Sequence, residues 1–186
     1  MNHQHFKFYK PVKVLSQFIR IQKRKKRLLG EFYNFPDGTM AIGRLDENSE
    51  GLLLLTTDGK KSEKIRQKEV EKEYYVLVDG IINDKAINKL QTGVEIGLKG
   101  EKYITRSCKV KKLKTEPQLP DRGLKIRDER HGPTSWISIT ITEGKNRQVR
   151  KMTAAVGYPT LRLVRYRVAN ITIDNLKVGQ VKQIDI

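Results

Sequence analysis

The stretch 41-AIGRLDENSEGLLLLTTDG-59 places a carboxylate, Asp46, directly after Gly43-Arg44-Leu45 and ahead of four consecutive leucines, Leu52 to Leu55. Glu50-Gly51 supplies a glycine-containing turn and Thr57-Asp58-Gly59 a stop, so the leucines between them form a short apolar run that suits a buried strand. On that local pattern Asp46 is a turn residue in front of core.

Working outward, Phe35-Pro-Asp-Gly38 provides turn chemistry before a strand at Met40-Ala-Ile42. Phe6 to Pro11 alternates aromatic and basic residues and stops at proline, which predicts a first strand. The block Gln22-Lys-Arg-Lys-Lys-Arg27, with five consecutive positive charges, is a loop that either stays solvated or contacts phosphate. Past the leucines, the polar segment Lys60 to Glu69 predicts an exposed helix, and Glu73 to Val78 a buried strand ending at Asp79-Gly80. Asn83 is suited to cap a helix through Gln91, with Ile87 and Leu90 facing inward and Gly93 closing it. Thr105 to Arg130 predicts a long connection, broken by Pro117, Pro120 and Gly123, with one strand near Cys108 to Leu113.

The clearest period-two pattern is Ser135 to Thr142, where Ile137, Ile139 and Ile141 alternate with Ser138, Thr140 and Thr142, as in a half-buried strand. Asn146 is expected to cap the next helix, whose Val149, Met152 and Val156 share one face opposite Arg147, Arg150, Lys151 and Ala154, before Gly157 ends it. Leu161 to Val168 and Ile171 to Asp174 read as further strands. The fold class is α+β, a mixed, largely antiparallel sheet flanked by helices and loops. Residues 1–186 are expected to form a single domain, with room for two lobes.

At 186 residues the chain is long enough to bury a core of roughly 70% of its unfolded surface. It carries 38 Lys and Arg against 21 Asp and Glu, a formal charge of +17 spread along its length. Such a surplus repels itself on folding and points to a polyanionic partner, nucleic acid before an anionic membrane. No apolar run approaches the roughly 20 residues needed to span a bilayer, so no membrane role is expected. The N-terminus lacks a secretory pattern, and the single cysteine, Cys108, excludes an internal disulfide and fits a reducing, cytoplasmic compartment. His3, His5 and His131 make no zinc pattern with Cys108, and no metal is expected.

Three places offer reactive groups near positive charge: Asp46 beside Arg44, Tyr74 behind Lys72, and the basic helix with Arg147, Gln148 and Arg150. A carboxylate nucleophile must stay ionised while partly buried, and pairing with a guanidinium such as that of Arg150 meets the need.

The run Gly43 to Gly59 closely resembles the central motif of the pseudouridine synthases, in the RsuA branch that acts on ribosomal RNA. Gly43, Arg44, Leu45, Asp46, Ser49, Gly51, Leu52 to Leu54, Thr56, Asp58 and Gly59 all fit its pattern. Lys72-Glu-Tyr74-Tyr-Val76 and Glu143-Gly-Lys-Asn-Arg-Gln-Val-Arg150-Lys-Met152 resemble the next two motifs, in the same order. Lys72-x-Tyr-Tyr75, Pro133 to Trp136 and Gly157 to Tyr166 resemble most the RluE-type subgroup, which modifies large-subunit (23S) ribosomal RNA. Many relatives begin with a separate S4 RNA-binding domain, for which this chain has no room, and others carry His where Arg147 stands.

The resemblance implies the family's catalytic fold and an isomerase that converts a specific uridine in ribosomal RNA to pseudouridine without a cofactor; a monomer is expected, and the sequence leaves the oligomeric state open. Asp46 would be the catalytic carboxylate, attacking the anomeric carbon or assisting a glycal-like intermediate. Tyr74 would stack on the flipped uracil, and Arg150 would keep Asp46 ionised. Arg44 would fill the gap left by the base, while Lys72, Lys145, Arg147, Gln148, Lys151, Arg162 and Arg165 would meet the RNA. The rival expectation is a catalytically silent ribosomal-RNA-binding or ribosome-assembly protein of the same fold. A DNA-binding module is disfavoured, since no helix-turn-helix or zinc-finger pattern is present.

Overall fold

The computed structural model describes residues 3–21, 25–67 and 69–186. They form two compact units, one of Met1–Val70, Pro120–Arg122 and Arg165–Ile186, the other of Glu71–Leu119 and Gly123–Val164. Residues 22–24 of the basic block Gln22 to Arg27 lie outside the described residues.

The first unit opens with β1 (His5–Lys10), β2 (Met40–Ala41) and β3 (Glu50–Thr56). β1 pairs antiparallel with β3, from His5 opposite Thr56 to Lys10 opposite Gly51, and β2 adds Ala41 opposite Leu55. Every residue of β3 is buried, so the leucine run is a strand covered on both faces, which is what an unbroken apolar run requires. Phe6, Phe8, Val14, Leu29, Leu53 and Leu55 form one core cluster, against which Phe18, Phe32 and Phe35 pack. Helix α1 (Gly59–Arg66) starts where the Asp58 carboxylate accepts hydrogen bonds from the Lys60 and Lys61 amides. It ends three residues short of the predicted Glu69, because Ser62 is its one buried residue and little packing holds a further turn.

In the second unit, β4 (Lys72–Asp79) leads to α2 (Asp84–Thr92), then β5 (Glu95–Leu98), β6 (Glu101–Ile104), β7 (Lys109–Lys112), β8 (Thr134–Ile141) and α3 (Gln148–Ala155). β8 is flanked by β4, with Tyr74 opposite Ile139, and by β7, with Val110 opposite Ile139. It is buried from Ser135 to Ile141, not half-buried as its alternation predicts. Its polar face is covered too, and Ser138 Oγ donates to Glu73. The α2 caps match the sequence: Asn83 Oδ1 accepts from the Ala86 amide at 2.9 Å, and Gly93 ends the helix with φ 112°. The β5–β6 hairpin had no counterpart in the sequence reading. Its Lys99 and Gly100 both have positive φ, 52° and 89°, the backbone of a two-residue primed turn.

The start of α3 corrects an expectation. Asn146 does not cap it; Arg147 does, at φ 51° and without a side-chain cap. The side chain of Gln148 closes the turn instead, its Oε1 accepting from the Lys145 amide at 3.0 Å while the Gln148 amide donates to the Lys145 carbonyl at 3.1 Å. Strand β9 (Thr160–Val168) begins in this unit and ends in the first, where β10 (Ile171–Thr172) folds back on it and β11 (Val181–Ile184) pairs with the other edge of β1. Each pairing described here is antiparallel, in keeping with the predicted α+β class. Among the described residues, no helix is long and apolar enough to cross a membrane.

Gly93 is a test of this packing. A Cβ there would lie 2.4 Å from the Thr105 carbonyl oxygen, on a backbone that L side chains rarely adopt. Gly93→Ala is expected to lower unfolding stability by about 2–4 kcal/mol, measured by urea denaturation.

Candidate active site

In the first unit the turn that carries Asp46 is fixed through its main chain. The Ser49 amide donates to the Asp46 carbonyl at 3.0 Å, closing the turn. Ser16 Oγ donates to the Leu45 carbonyl at 2.8 Å and accepts from the Leu45 amide at 3.0 Å, so one hydroxyl satisfies both polar groups of that residue. The Lys13 amide donates to the Glu47 carbonyl at 2.7 Å, and Lys26 Nζ meets the Glu47 carboxylate at 2.6 Å. Leu45 is buried by this arrangement, Arg44 is exposed and Asp46 is half-buried. The guanidinium of Arg165 donates to the Leu52 carbonyl at 2.7 Å and the Arg44 carbonyl at 3.4 Å, linking β3 to the turn.

Behind the turn lies Lys10, fully buried, whose ammonium donates to the Pro11 and Val14 carbonyls, both at 2.8 Å. Burial and the nearby Arg165 charge lower its pKa to about 7, against the opposite pull of Glu50, Asp46 and Glu47. Glu50 is itself 1% exposed, so cation and carboxylate share a water-poor site.

In the second unit, Tyr74 is a buried residue of β4 and Lys72 is half-buried at its start. Glu143, just after β8, is a collecting point: its carboxylate accepts from Tyr103 Oη at 2.6 Å, the Arg106 amide at 2.9 Å and Gln148 Nε2 at 2.6 Å. Burial works against its ionisation, but the three donors outweigh it and hold its pKa below the ordinary carboxylate value. The same bond raises the Tyr103 phenol. Gln148 thereby links Glu143 to the Lys145 amide and fixes the turn into α3. From α3, half-buried Arg150 donates to the Thr160 carbonyl at 3.5 Å and Lys151 to the Gly97 carbonyl at 2.7 Å. Lys145 lies 4.8 Å over the Tyr103 ring, and Arg147 is exposed.

The expected residues thus fall in two sets. The first unit holds Arg44, Asp46 and Arg165; the second holds Lys72, Tyr74, Lys145, Arg147, Gln148, Arg150, Lys151 and Arg162. Three residues expected to meet RNA are buried: Gln148 at 3%, Arg162 at 7% and Arg165 at 5% exposed. Gln148 and Arg165 direct donors to protein acceptors instead. Sequence reasoning missed Ser16, Lys10, Tyr103 and Glu143 as supports. Lys10 had a signal, since it shares the parity of inward-facing Phe6 and Phe8 along β1. Ser16 and Tyr103 had none.

The family model for RNA pseudouridylate synthase matches residues 4–155, which include the Asp46 turn, Tyr74 and α3. A Vibrio parahaemolyticus protein, ribosomal large subunit pseudouridine synthase E, is 41% identical over 181 residues, covering 96% of this chain and 73% of its own length. The protein of the same name from Xanthomonas axonopodis pv. citri is 43% identical over 170 residues, covering 90% of this chain and 86% of its own. A crystal structure of a pseudouridylate synthase superposes with a TM-score of 0.76 at 25% identity, over 99% of this chain and 71% of that one. The chain belongs to the RNA pseudouridylate synthase family.

Two titrations test these supports. Glu143 has a lowered folded pKa, so its contribution to stability is complete above the ordinary carboxylate range and is lost as pH falls through the folded value. Glu143→Ala, which leaves the buried Gln148 carboxamide and the part-buried Tyr103 hydroxyl and Arg106 amide without this acceptor, is expected to cost about 1–3 kcal/mol at pH 7 and to flatten the acid limb of unfolding. Lys10 has the same sign in a higher pH window. Its folded pKa of about 7 lies below the ordinary value of 10.5, so the unfolded chain binds more protons between these values and stability rises with pH across that window. Lys10→Met is expected to remove that rise, as read from urea midpoints at pH 6, 8 and 9.5.

Proposed function

We propose that the chain isomerises a specific uridine of large-subunit ribosomal RNA to pseudouridine. The observation that carries this reading is the Asp46 turn, pinned through the main chain of Arg44, Leu45 and Asp46, within the region that matches the family model. The names of the relatives at 40–43% identity support the choice of RNA.

In the reaction the bond between uracil N1 and C1′ breaks, the base turns, and a bond from C5 to C1′ replaces it. The proton leaves C5 and N1 ends protonated, so substrate and product have the same composition and no cofactor is needed. Asp46 acts at C1′ as the catalytic carboxylate. Tyr74 stacks on the uracil, an interaction worth about 1–3 kcal/mol that offsets part of the extrusion cost. Arg150 is assigned to the catalytic set with Asp46 and Tyr74, and exposed Arg44 takes the space left in the RNA. Phosphates are met by Arg147 and Lys145, which are exposed, with Lys151 from the same motif and Lys72 from the motif of Tyr74. Gln148 and Arg165 act as positioning residues, and Arg162 is assigned a supporting role because it is buried. The protein works in the cytoplasm as a monomer.

Asp46→Asn is expected to abolish pseudouridine formation, scored by mapping modified positions in ribosomal RNA, while RNA affinity stays within about threefold of the parent. An active Asn variant would remove Asp46 from the mechanism. RNA affinity should also fall steeply between 50 and 200 mM salt, through release of counterions; a flat response would show that phosphates do not dominate docking.

A further inference from the structure

A pocket of about 630 Å³ opens in the first unit beside the Asp46 turn, with Arg44 in its wall. Phe18, Tyr33 and Phe35 line it and brace one another, with ring centroids 5.4 Å apart for Phe18–Phe35 and 5.1 Å for Tyr33–Phe35. Ile19 and Ile21 stand at its edge, 76% and 79% exposed. Among the described residues the large exposed apolar side chains are Ile19, Ile21, Tyr33, Met40, Ile81, Ile104 and Leu124, and the first four all line this pocket. Such a concentration of apolar surface marks a binding site.

Charge narrows the occupant. Arg44 in the wall puts a cation at the rim, and Arg20, between the two exposed isoleucines in sequence, is itself exposed, as are Lys25 and Arg27. A polyanion therefore suits the rim, while the lining is aromatic and includes one carboxylate, exposed Asp37, which disfavours a phosphate and can accept from base N–H groups. We propose that the pocket takes an unpaired nucleobase of the RNA next in sequence to the target uridine, stacked on the Tyr33 and Phe18 side with its phosphates at Arg20 and Arg44. This rests on the RNA reading above. It would make the pocket a determinant of which uridine is chosen, since a site lacking an unpaired neighbour could not fill it.

The test uses the full chain and a ribosomal RNA fragment containing the mapped target. Each nucleotide flanking the target is replaced in turn by an abasic residue, and both Kd and KM are measured for the parent and for the double variant Ile19→Ser, Ile21→Ser. Both isoleucines are exposed, so the thermal midpoint should not change. The double variant is expected to raise Kd and KM about tenfold, and Ile19→Val, Ile21→Val to restore them. One abasic position should weaken the parent by a similar factor and the double variant no further. Unchanged constants, or abasic losses that add in full to those of the variant, overturn the proposal. So does a variant that keeps its RNA affinity but loses a ribosomal protein or a second copy of the chain, which would assign the pocket to a protein. Should the parent bind RNA without turnover, the enzymatic reading fails by itself, and the Kd coupling still decides the pocket.

Discussion

A single serine hydroxyl closes both backbone polar groups of Leu45, and the chemistry of the first unit depends on that closure. Buried amides and carbonyls are costly unless paired, so the Ser16–Leu45 exchange is what allows Leu45 to leave water. With Leu45 anchored, its neighbours Arg44 and Asp46 are held on either side of a fixed peptide. Lys13, Ser49 and Arg165 add further main-chain bonds to the same turn. The main chain of the turn that carries Asp46 is thus fixed by contacts with residues of the 13–16 loop and β9.

The second unit solves a similar problem with a side chain. Glu143 gathers a phenol, an amide and the Gln148 carboxamide, and through Gln148 it sets the turn into α3. In both units a buried polar group with several partners does what regular secondary structure does not reach: β3 and β8 supply rigid apolar floors, and hydrogen-bonded side chains aim the loops that follow or precede them. Sites built this way are sensitive to loss of one partner, because the rest are left buried and unpaired.

Much of this was legible from residue patterns. The leucine run, the alternation of Ile137, Ile139 and Ile141, and the Asn83 and Gly93 caps each report a local rule that the fold keeps. The departures have physical causes. β8 has a polar face that suggests solvent, yet neighbouring elements cover it, and no local pattern records that. The start of α3 followed Gln148 and not Asn146, because a carboxamide reaching back to the Lys145 amide competes with an ordinary cap. The Lys99-Gly100 hairpin joins strands of four residues each, too short for alternation to stand out. Among the residues expected at the site, Asp46, Tyr74 and Arg150 were singled out by their motifs, whereas Ser16 and Tyr103 act across long sequence separations and carry no local mark. Gln148, Arg162 and Arg165 were read by charge or polarity as surface contacts, although burial of each is set by tertiary packing.

The low pKa of Lys10 has a use beyond its place in the fold. An amine that is substantially unprotonated at mild alkaline pH is a good nucleophile, yet no reagent reaches it while the strand it ends stays closed. Acylation of Lys10 at pH 8 therefore proceeds only through opening of the end of β1, where Lys10 lies opposite Gly51 of β3, just past the Asp46 turn. Compared with labelling of exposed lysines in the same sample, its rate is a clock for that opening, and slowing of the clock by bound RNA would measure how firmly substrate locks the turn.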